Sequence, residues 1–584
     1  MRIFHFCKLI VTKESQVHSL RNCTVVIDGQ NFLHNLYERS KIPFIFGCET
    51  DKYAVYLKRH FRIFKQANVK CYIVFKGGDS DIEHKLKKFH HLVFNIDTNI
   101  EFIPPVLLKD TNVQVVAEMG IDYAFCITEV KDECVALAVK LECPIISWDI
   151  EMCFRKAPYI PSDTMKYDKE TKSIQCRQFK LQDFLQKYSL TEGKYAIFAA
   201  LTDTNVFPLH FFDSLFYVWQ VSHRNDMYFL HNLIVWLSKH SEQEARDGIS
   251  KILTNNEDRS KFWFYHFKIL TNMRNDEPGL ITEYLLNSNL PTEAQDPEWF
   301  EKGVVCKHVP PVYINLYKWK VIEGSWLILD THRQDSLLLS IDIVKYAFNL
   351  LTNYRGRKFK VYQDANKYIE MMAHDPNVCR PIYNCEVSVF ENGWDEVKDL
   401  KLFDHFLTEN SLNIGILAEL EPDCEVLFIA LAYFARKKQL EGEDVTREVY
   451  AVVVSYVLLN LVFNTVTRSV DLQDQLNIQR ATAKYFQYDE DEARGVFDGR
   501  ALHRLVELQF CIQHMNYLNT LCGSLYESTQ YRKLYNGTFI YKMFNEMRDR
   551  DVGDFINELF ETSPKVLVKV ERLISIYHEL FNSD

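Results

Sequence analysis

The chain has 584 residues, 47% of them apolar and 25% charged, with 19 Gly and 16 Pro. That content of turn formers lies under the average share of roughly 7% and 5% and excludes a collagen-like, low-complexity or largely disordered protein, while at roughly 100–200 residues per domain the length calls for two to four packed units. With 68 Lys and Arg against 79 Asp and Glu the formal charge is −11, so any face that binds nucleic acid must be local.

In chain order, the start Met1-Arg2-Ile3-Phe4-His5-Phe6-Cys7-Lys8 is broken by charge and has no small-residue cleavage site, which argues against a secretory signal. Four runs of β-formers follow: Thr24-Val25-Val26-Ile27, Cys71-Tyr72-Ile73-Val74-Phe75, Tyr123-Ala124-Phe125-Cys126-Ile127 and Pro144-Ile145-Ile146. Near-continuous apolar strands of this kind predict a parallel sheet covered on both faces. Between the first two, Ala54, Leu57, Phe61 and Phe64 fall at three- and four-residue steps and predict a helix with one apolar stripe. Its other face carries Lys58, Arg62 and Lys65, either a solvated face or a stripe that tracks phosphates.

Helices are predicted over residues 106–119 and 130–141, and a hairpin or a pair of edge strands over 167–179. From about Asn205 the β-signals thin out, and the rest reads as helix after helix with no repeat and no Gly/Ser linker. The longest apolar run, residues 449–463, contains Ser455 and Asn460. It falls short of the roughly 20 residues a bilayer span needs and reads as a buried helix, so no membrane partner is expected. The 15 cysteines contain no C-x-x-C pair, and the closest two, Cys379 and Cys385, lack two further ligands at finger spacing. Reduced thiols and an intracellular location, nuclear or cytoplasmic, are expected, with no structural zinc.

Phosphate-cradling motifs (G-x-x-x-x-G-K-[ST], G-x-G-x-x-G) and the H-E-x-x-H, G-x-S-x-G and protein-kinase signatures are absent. What remains is a set of acids just past strand ends: Asp28 after the first strand, Glu129 after the third, and Asp149 with Glu151 after the fourth. The carboxyl ends of parallel strands open onto one crevice, so these acids converge. Converging carboxylates suit hard cations such as Mg²⁺, and two ions about 3.5–4 Å apart clamp both oxygens of a phosphodiester displacement. Taken singly, each acid also serves as a helix cap or turn residue.

Ile27-Asp28-Gly29-Gln30-Asn31, Lys76-Gly77-Gly78-Asp79, Thr128-Glu129-Val130-Lys131-Asp132-Glu133 and Ser147-Trp148-Asp149-Ile150-Glu151 resemble the asteroid family, a branch of the flap-endonuclease-like (XPG-type, PIN-like) nucleases. So do Asn289-Leu290-Pro291 with Pro297-Glu298-Trp299, and, towards the C-terminus, Gln509-Phe510-Cys511-Ile512-Gln513, Tyr517-Leu518-Asn519 and Leu534-Tyr535-Asn536-Gly537. The resemblance implies an α/β fold with a PIN-like N-terminal domain and mainly parallel sheet over residues 1–215, packed on a large α-helical region over 216–584. It implies Mg²⁺-dependent hydrolysis of single-stranded or branched DNA, with Asp28, Glu129, Asp149 and Glu151 as catalytic and metal-binding acids. Lys58, Arg62, Lys65, Lys85, Lys87 and Lys88 would then guide the strand.

Three positions depart from the family pattern. Lys76 stands where D-G-G would place an aspartate, Lys131 where the next acid of E-A-D belongs, and Asn205 where the G-N-D aspartate would lie; Asp79, Asp132, Glu133 or Asp203 are the nearest substitutes. Arg2 and His5 occupy glycine positions of the family's N-terminus, and no glycine-rich helix-hairpin-helix follows Asn205. Four acids against Lys76 and Lys131 leave a charge of −2, enough for one Mg²⁺ and not two. A lysine ammonium is a compact cation with three donors, able to replace a metal ion. The expectation is a pocket closed by internal ion pairs, holding no ion or one, and a weak or inactive nuclease. The alternative is a non-catalytic scaffold that keeps the fold, binds a protein partner through its helical region and serves in a signalling pathway.

Overall fold

The computed structural model describes residues 3, 5–78, 102, 104–127, 129–221, 227–275, 277, 279–287, 296–324, 333–362, 368–373, 383, 386–462, 472–489 and 498–581. Asp79, Lys85, Lys87, Lys88, Cys379 and Cys385 lie outside them. Two compact units emerge: residues 1–35, 59–76 and 121–292 form one, and 36–58, 77–120 and 293–584 the other.

The first unit holds a five-stranded sheet in the order β4-β3-β2-β5-β6, from β2 (Thr24–Asp28), β3 (Lys70–Lys76), β4 (Asp122–Cys126), β5 (Ile145–Ser147) and β6 (Tyr159–Pro161). Every pairing in it is parallel. Val25, Val26 and Ile27 are fully buried in β2, as expected of a strand covered on both faces. The fold class read from the sequence is borne out: an α/β N-terminal region on a parallel sheet, followed by a long helical region. The 167–179 hairpin is present as β7 (Lys166–Asp168) and β8 (Ser173–Gln178), antiparallel. Its other neighbour is a strand that the sequence reading missed, β1 (Gln16–Leu20).

Helices α1 (Gly29–Ser40) and α2 (Thr50–Gln66) begin after β2. Ala54, Leu57, Phe61 and Phe64 are buried on α2, as the periodicity requires. Further on come α3 (Leu108–Glu118), α4 (Val130–Lys140), α5 (Glu192–Thr202), α6 (Asn256–Arg274) and α7 (Leu280–Asn287).

The second unit is built on α8 (Glu425–Leu440), α9 (Thr446–Tyr456), α10 (Gly499–Leu521) and α11 (Gly537–Glu546). The apolar run from residue 449 begins in α9, fully buried from Val449 to Val454 apart from Tyr450, and continues as a π-helix, Val457–Val462. Among the described residues no helix is long and apolar enough to cross a membrane. A small sheet also stands here, β9 (Val321–Glu323), β10 (Lys358–Tyr362) and β11 (Tyr368–Met372), where only helices were expected.

The C-terminal segments singled out in the sequence grip residues 46–51 and α3 of this same unit. Gln509 Nε2 donates to the Tyr535 hydroxyl at 2.9 Å, and that hydroxyl donates to Phe46 O at 3.2 Å. Gly47 lies at φ 90°, and a Cβ there would come within 2.2 Å of Gln509 Nε2; only glycine suits both the conformation and the approach. Thr50 Oγ1 donates to Tyr531 O, and Asn536 Nδ2 to Asp51 Oδ1 at 2.9 Å. On α3, Asp110 accepts from Gln513 Nε2 at 2.6 Å and from the Tyr517 hydroxyl at 2.7 Å.

Candidate functional site

Asp28 ends β2, Lys76 ends β3, and Ser147 ends β5, so their parallel strands deliver them to one rim of the sheet. Asp28 is fully buried. Its Oδ2 accepts from Asn31 Nδ2 at 2.7 Å and Ser147 Oγ at 2.8 Å, and its Oδ1 from the Asn31 amide at 3.3 Å. Burial pushes this carboxyl up; the Asn31 and Ser147 donors offset part of that, and the charge of Asp149 adds to it.

The chain then turns into a 3₁₀ helix, Ile150–Phe154. The Asp149 amide donates to Ser147 Oγ at 3.0 Å, and Asp149 Oδ1 caps the turn by accepting from the Glu151 amide at 2.9 Å. Lys131, in the first turn of α4, places its Nζ 2.8 Å from Asp149 Oδ2 and 2.6 Å from Glu151 Oε2. The three side chains are each only about a fifth exposed. Burial works to raise the Glu151 carboxyl, but neighbouring positive charge, with Lys131 first and Arg155 a smaller part, more than reverses it, holding it at about 2. Burial likewise works to lower Lys131, and the two carboxylates raise it above its ordinary value. The lysine therefore stays charged between its two anions.

A second cation, Arg155, enters the cluster with a side chain 4% exposed. One nitrogen donates to Asp132 Oδ1 at 2.6 Å and to Asn272 O on α6 at 3.1 Å, and the other lies 3.8 Å from Glu151 Oε1. Asp132, Asp149 and Glu151 thus face Lys131 and Arg155, three carboxylates against two cations. Sequence reasoning missed Arg155, although its four-residue spacing from Glu151 was a legible signal.

The other candidates fall elsewhere. Glu129 is exposed at the N-cap of α4, where its side chain caps nothing. Glu133 is buried against the start of α7: a Cβ on Gly279 would meet its carboxylate at 2.3 Å, and the Ile281 and Thr282 amides act on it. Asp203, buried after α5, accepts from the Tyr265 hydroxyl and from the Asn205 amide at 3.0 Å. The Tyr265 hydroxyl is raised by burial, then by Asp203 and Glu151; Asn205 itself is exposed. Lys76 is half-buried, level with Cys126 of β4. Of the basic residues on α2, Lys58 is bound to Glu118 at 2.7 Å, and Arg62 and Lys65 are exposed. His5 adopts φ 58°, a left-handed conformation natural to the glycine it replaces.

Asp149 and Glu151 direct oxygens at Lys131, both Asp28 oxygens accept protein donors, and Glu129 is exposed. Among the described residues no group of three or more His, Cys, Asp or Glu side chains is arranged to hold a metal.

A parallel sheet with acids at its strand ends is the arrangement that the resemblance implies, and the XPG N-terminal domain model matches residues 3–93. The Asteroid N-terminal domain model matches residues 423–584, so the resemblance is borne out, to the XPG type at the N-terminal end and to the asteroid family at the C-terminal end. Protein asteroid of Drosophila melanogaster is 28% identical over 164 residues, 27% of this chain and 19% of that protein. Human single-strand DNA endonuclease ASTE1 is 23% identical over 199 residues, 31% of this chain and 29% of that protein. The chain thus matches less than a third of the length of either. The ASTE1 protein of Danio rerio is 19% identical over 573 residues, 91% of this chain and 79% of that protein. Among solved structures, human GEN1 with Holliday junction DNA is similar at a TM-score of 0.31 and 12% identity, covering 60% of this chain and 80% of that one. The catalytic core of Rad2 with DNA substrate gives 0.27 and 10%, covering 54% and 98%.

Proposed function

We propose that this chain is an asteroid-like, single-strand- or branch-directed DNA-binding member of the nuclease superfamily, in which phosphodiester hydrolysis is weak or lost. The observation that carries the reading is the Lys131 ammonium, 2.8 Å from Asp149 and 2.6 Å from Glu151. It supplies in place the positive charge that the acids of such a site otherwise take from divalent cations. Arg155 does the same for Asp132 and leans on Glu151. A cluster so satisfied still shapes the crevice and the local field, but it exchanges its cation only by breaking two partly buried ion pairs.

The test pairs calorimetric titration of Mg²⁺ or Mn²⁺ with cleavage of flap and single-stranded DNA by the full chain. The wild type is expected to bind at most one ion weakly and to cleave poorly. Lys131→Asp combined with Lys76→Asp should tighten ion binding. Tight binding of two ions by the wild type, or strong cleavage abolished by Asp149→Ala, refutes the reading. Absence of any affinity for DNA leaves the scaffold as the function of the fold.

A further inference from the structure

In the order β4-β3-β2-β5-β6 the chain adds strands to one side of β2 and then to the other. The switch falls between β2 and β5, and in open α/β sheets ligands enter the crevice outside the strand ends at that place. Asp28 and Ser147, the last residues of those two strands, are joined by a 2.8 Å hydrogen bond. The next residue is Trp148, 45% exposed. It is the one exposed tryptophan among the described residues; Trp219 and Trp236, by contrast, stack on each other at 3.8 Å.

The stem beneath this indole is fixed. Ser147 is fully buried and donates to Asp28, the Asp149 amide returns to Ser147 Oγ, and the Glu151 amide bonds Asp149. A large ring held in water on a pinned backbone loses little conformational freedom when a flat apolar partner covers it. The neighbouring carboxylates repel phosphates, though Lys131 and Arg155 hold most of that charge in ion pairs. The contact suited to this spot is therefore with a base face and not with the backbone of a strand. Stacking on an aromatic ring is tolerant of sequence, because every base has such a face.

We infer that Trp148 is the platform on which an unpaired base stacks at the mouth of the strand-end crevice; this rests on the nucleic-acid reading above. The experiment uses the full chain and the anisotropy of a labelled, mixed-sequence single-stranded DNA at low salt, beside a strand of the same length without bases. Trp148→Ala should weaken binding of the ordinary strand about 5- to 100-fold. Trp148→Phe should retain most of it, and on the base-free strand wild type and Trp148→Ala should bind alike. Equal affinity of wild type and Trp148→Ala for the ordinary strand, or an equal loss on both strands, overturns the inference. Failure of the wild type to bind either strand overturns the nucleic-acid reading itself.

Discussion

Replacing Lys131 by alanine strips Asp149 and Glu151 of their shared cation while leaving both carboxylates largely out of water. Removing one partner of a buried pair costs about 3–5 kcal/mol, and an exposed pair is worth ~0–1 kcal/mol. With side chains about one-fifth exposed, the expected cost lies between, at roughly 2–3 kcal/mol. In a unit of this size that lowers the melting temperature by about 4–12 °C. The pH dependence follows from Glu151, held at about 2, below its unfolded value, because Lys131 outweighs the effect of burial. A depressed carboxyl stabilises the fold above its unfolded pKa, and that contribution is lost as pH falls through the folded value. The gap between wild type and variant should therefore be full at neutral pH and close on acidification from about 4.5 towards 2. The variant also vacates a cation position between two carboxylates, so Mn²⁺ at about 100 times its dissociation constant should restore ~2.7 kcal/mol without altering the wild type. Calorimetric melts across pH, with and without Mn²⁺, measure all three. A variant as stable as wild type at neutral pH, or equal stabilisation of both proteins by Mn²⁺, refutes the reasoning.

Glu133 is pushed up to about 7 by burial, opposed by the Ile281 amide and reinforced by Asp132. A raised carboxyl contributes stability that is complete below its unfolded pKa and lost as pH rises through about 7, so Glu133→Gln should raise the melting temperature at pH ~8 and leave it unchanged near pH ~4. Tyr517→Phe removes one of two side-chain donors to the half-buried Asp110, and urea unfolding should show a loss of about 1–2 kcal/mol. Arg62→Ala with Lys65→Ala removes two exposed cations of α2. If they track phosphates, DNA affinity falls and its logarithmic salt slope shrinks by about 1.4 on a single strand; an unchanged slope assigns them to a solvated face.

Much of this architecture was legible because its signals are local. The core strands are unbroken apolar runs, and each strand-end acid follows one directly. The edge strand β1 escaped notice because Val17 is 75% exposed and the segment carries no apolar run. In β10, Phe359 and Val361 are buried while Lys358 is exposed and Lys360 half-buried. That alternation of a half-buried strand was obscured by the basic run Arg355-Gly356-Arg357-Lys358 at its start. Lys131 was visible as a charge out of pattern, and the structure supplies its two partners. Glu133 and Asp203 were legible only as nearby acids. Tertiary neighbours decide their roles: the start of α7 covers Glu133, and Tyr265, 62 residues along the chain, binds Asp203. The joining of residues 36–58 and 77–120 with 293–584 in one unit has no signature in a linear reading, since hydrogen bonds such as Gln513 to Asp110 span 403 positions.

The account turns on what sits between Asp149 and Glu151. A crystal of the wild-type chain soaked in Mn²⁺ and measured at the manganese absorption edge answers this directly. Lys131 Nζ should remain in contact with both carboxylates, with no pair of anomalous peaks beside Asp28, Asp149 and Glu151. Two manganese ions there, with the Lys131 side chain displaced, would contradict it.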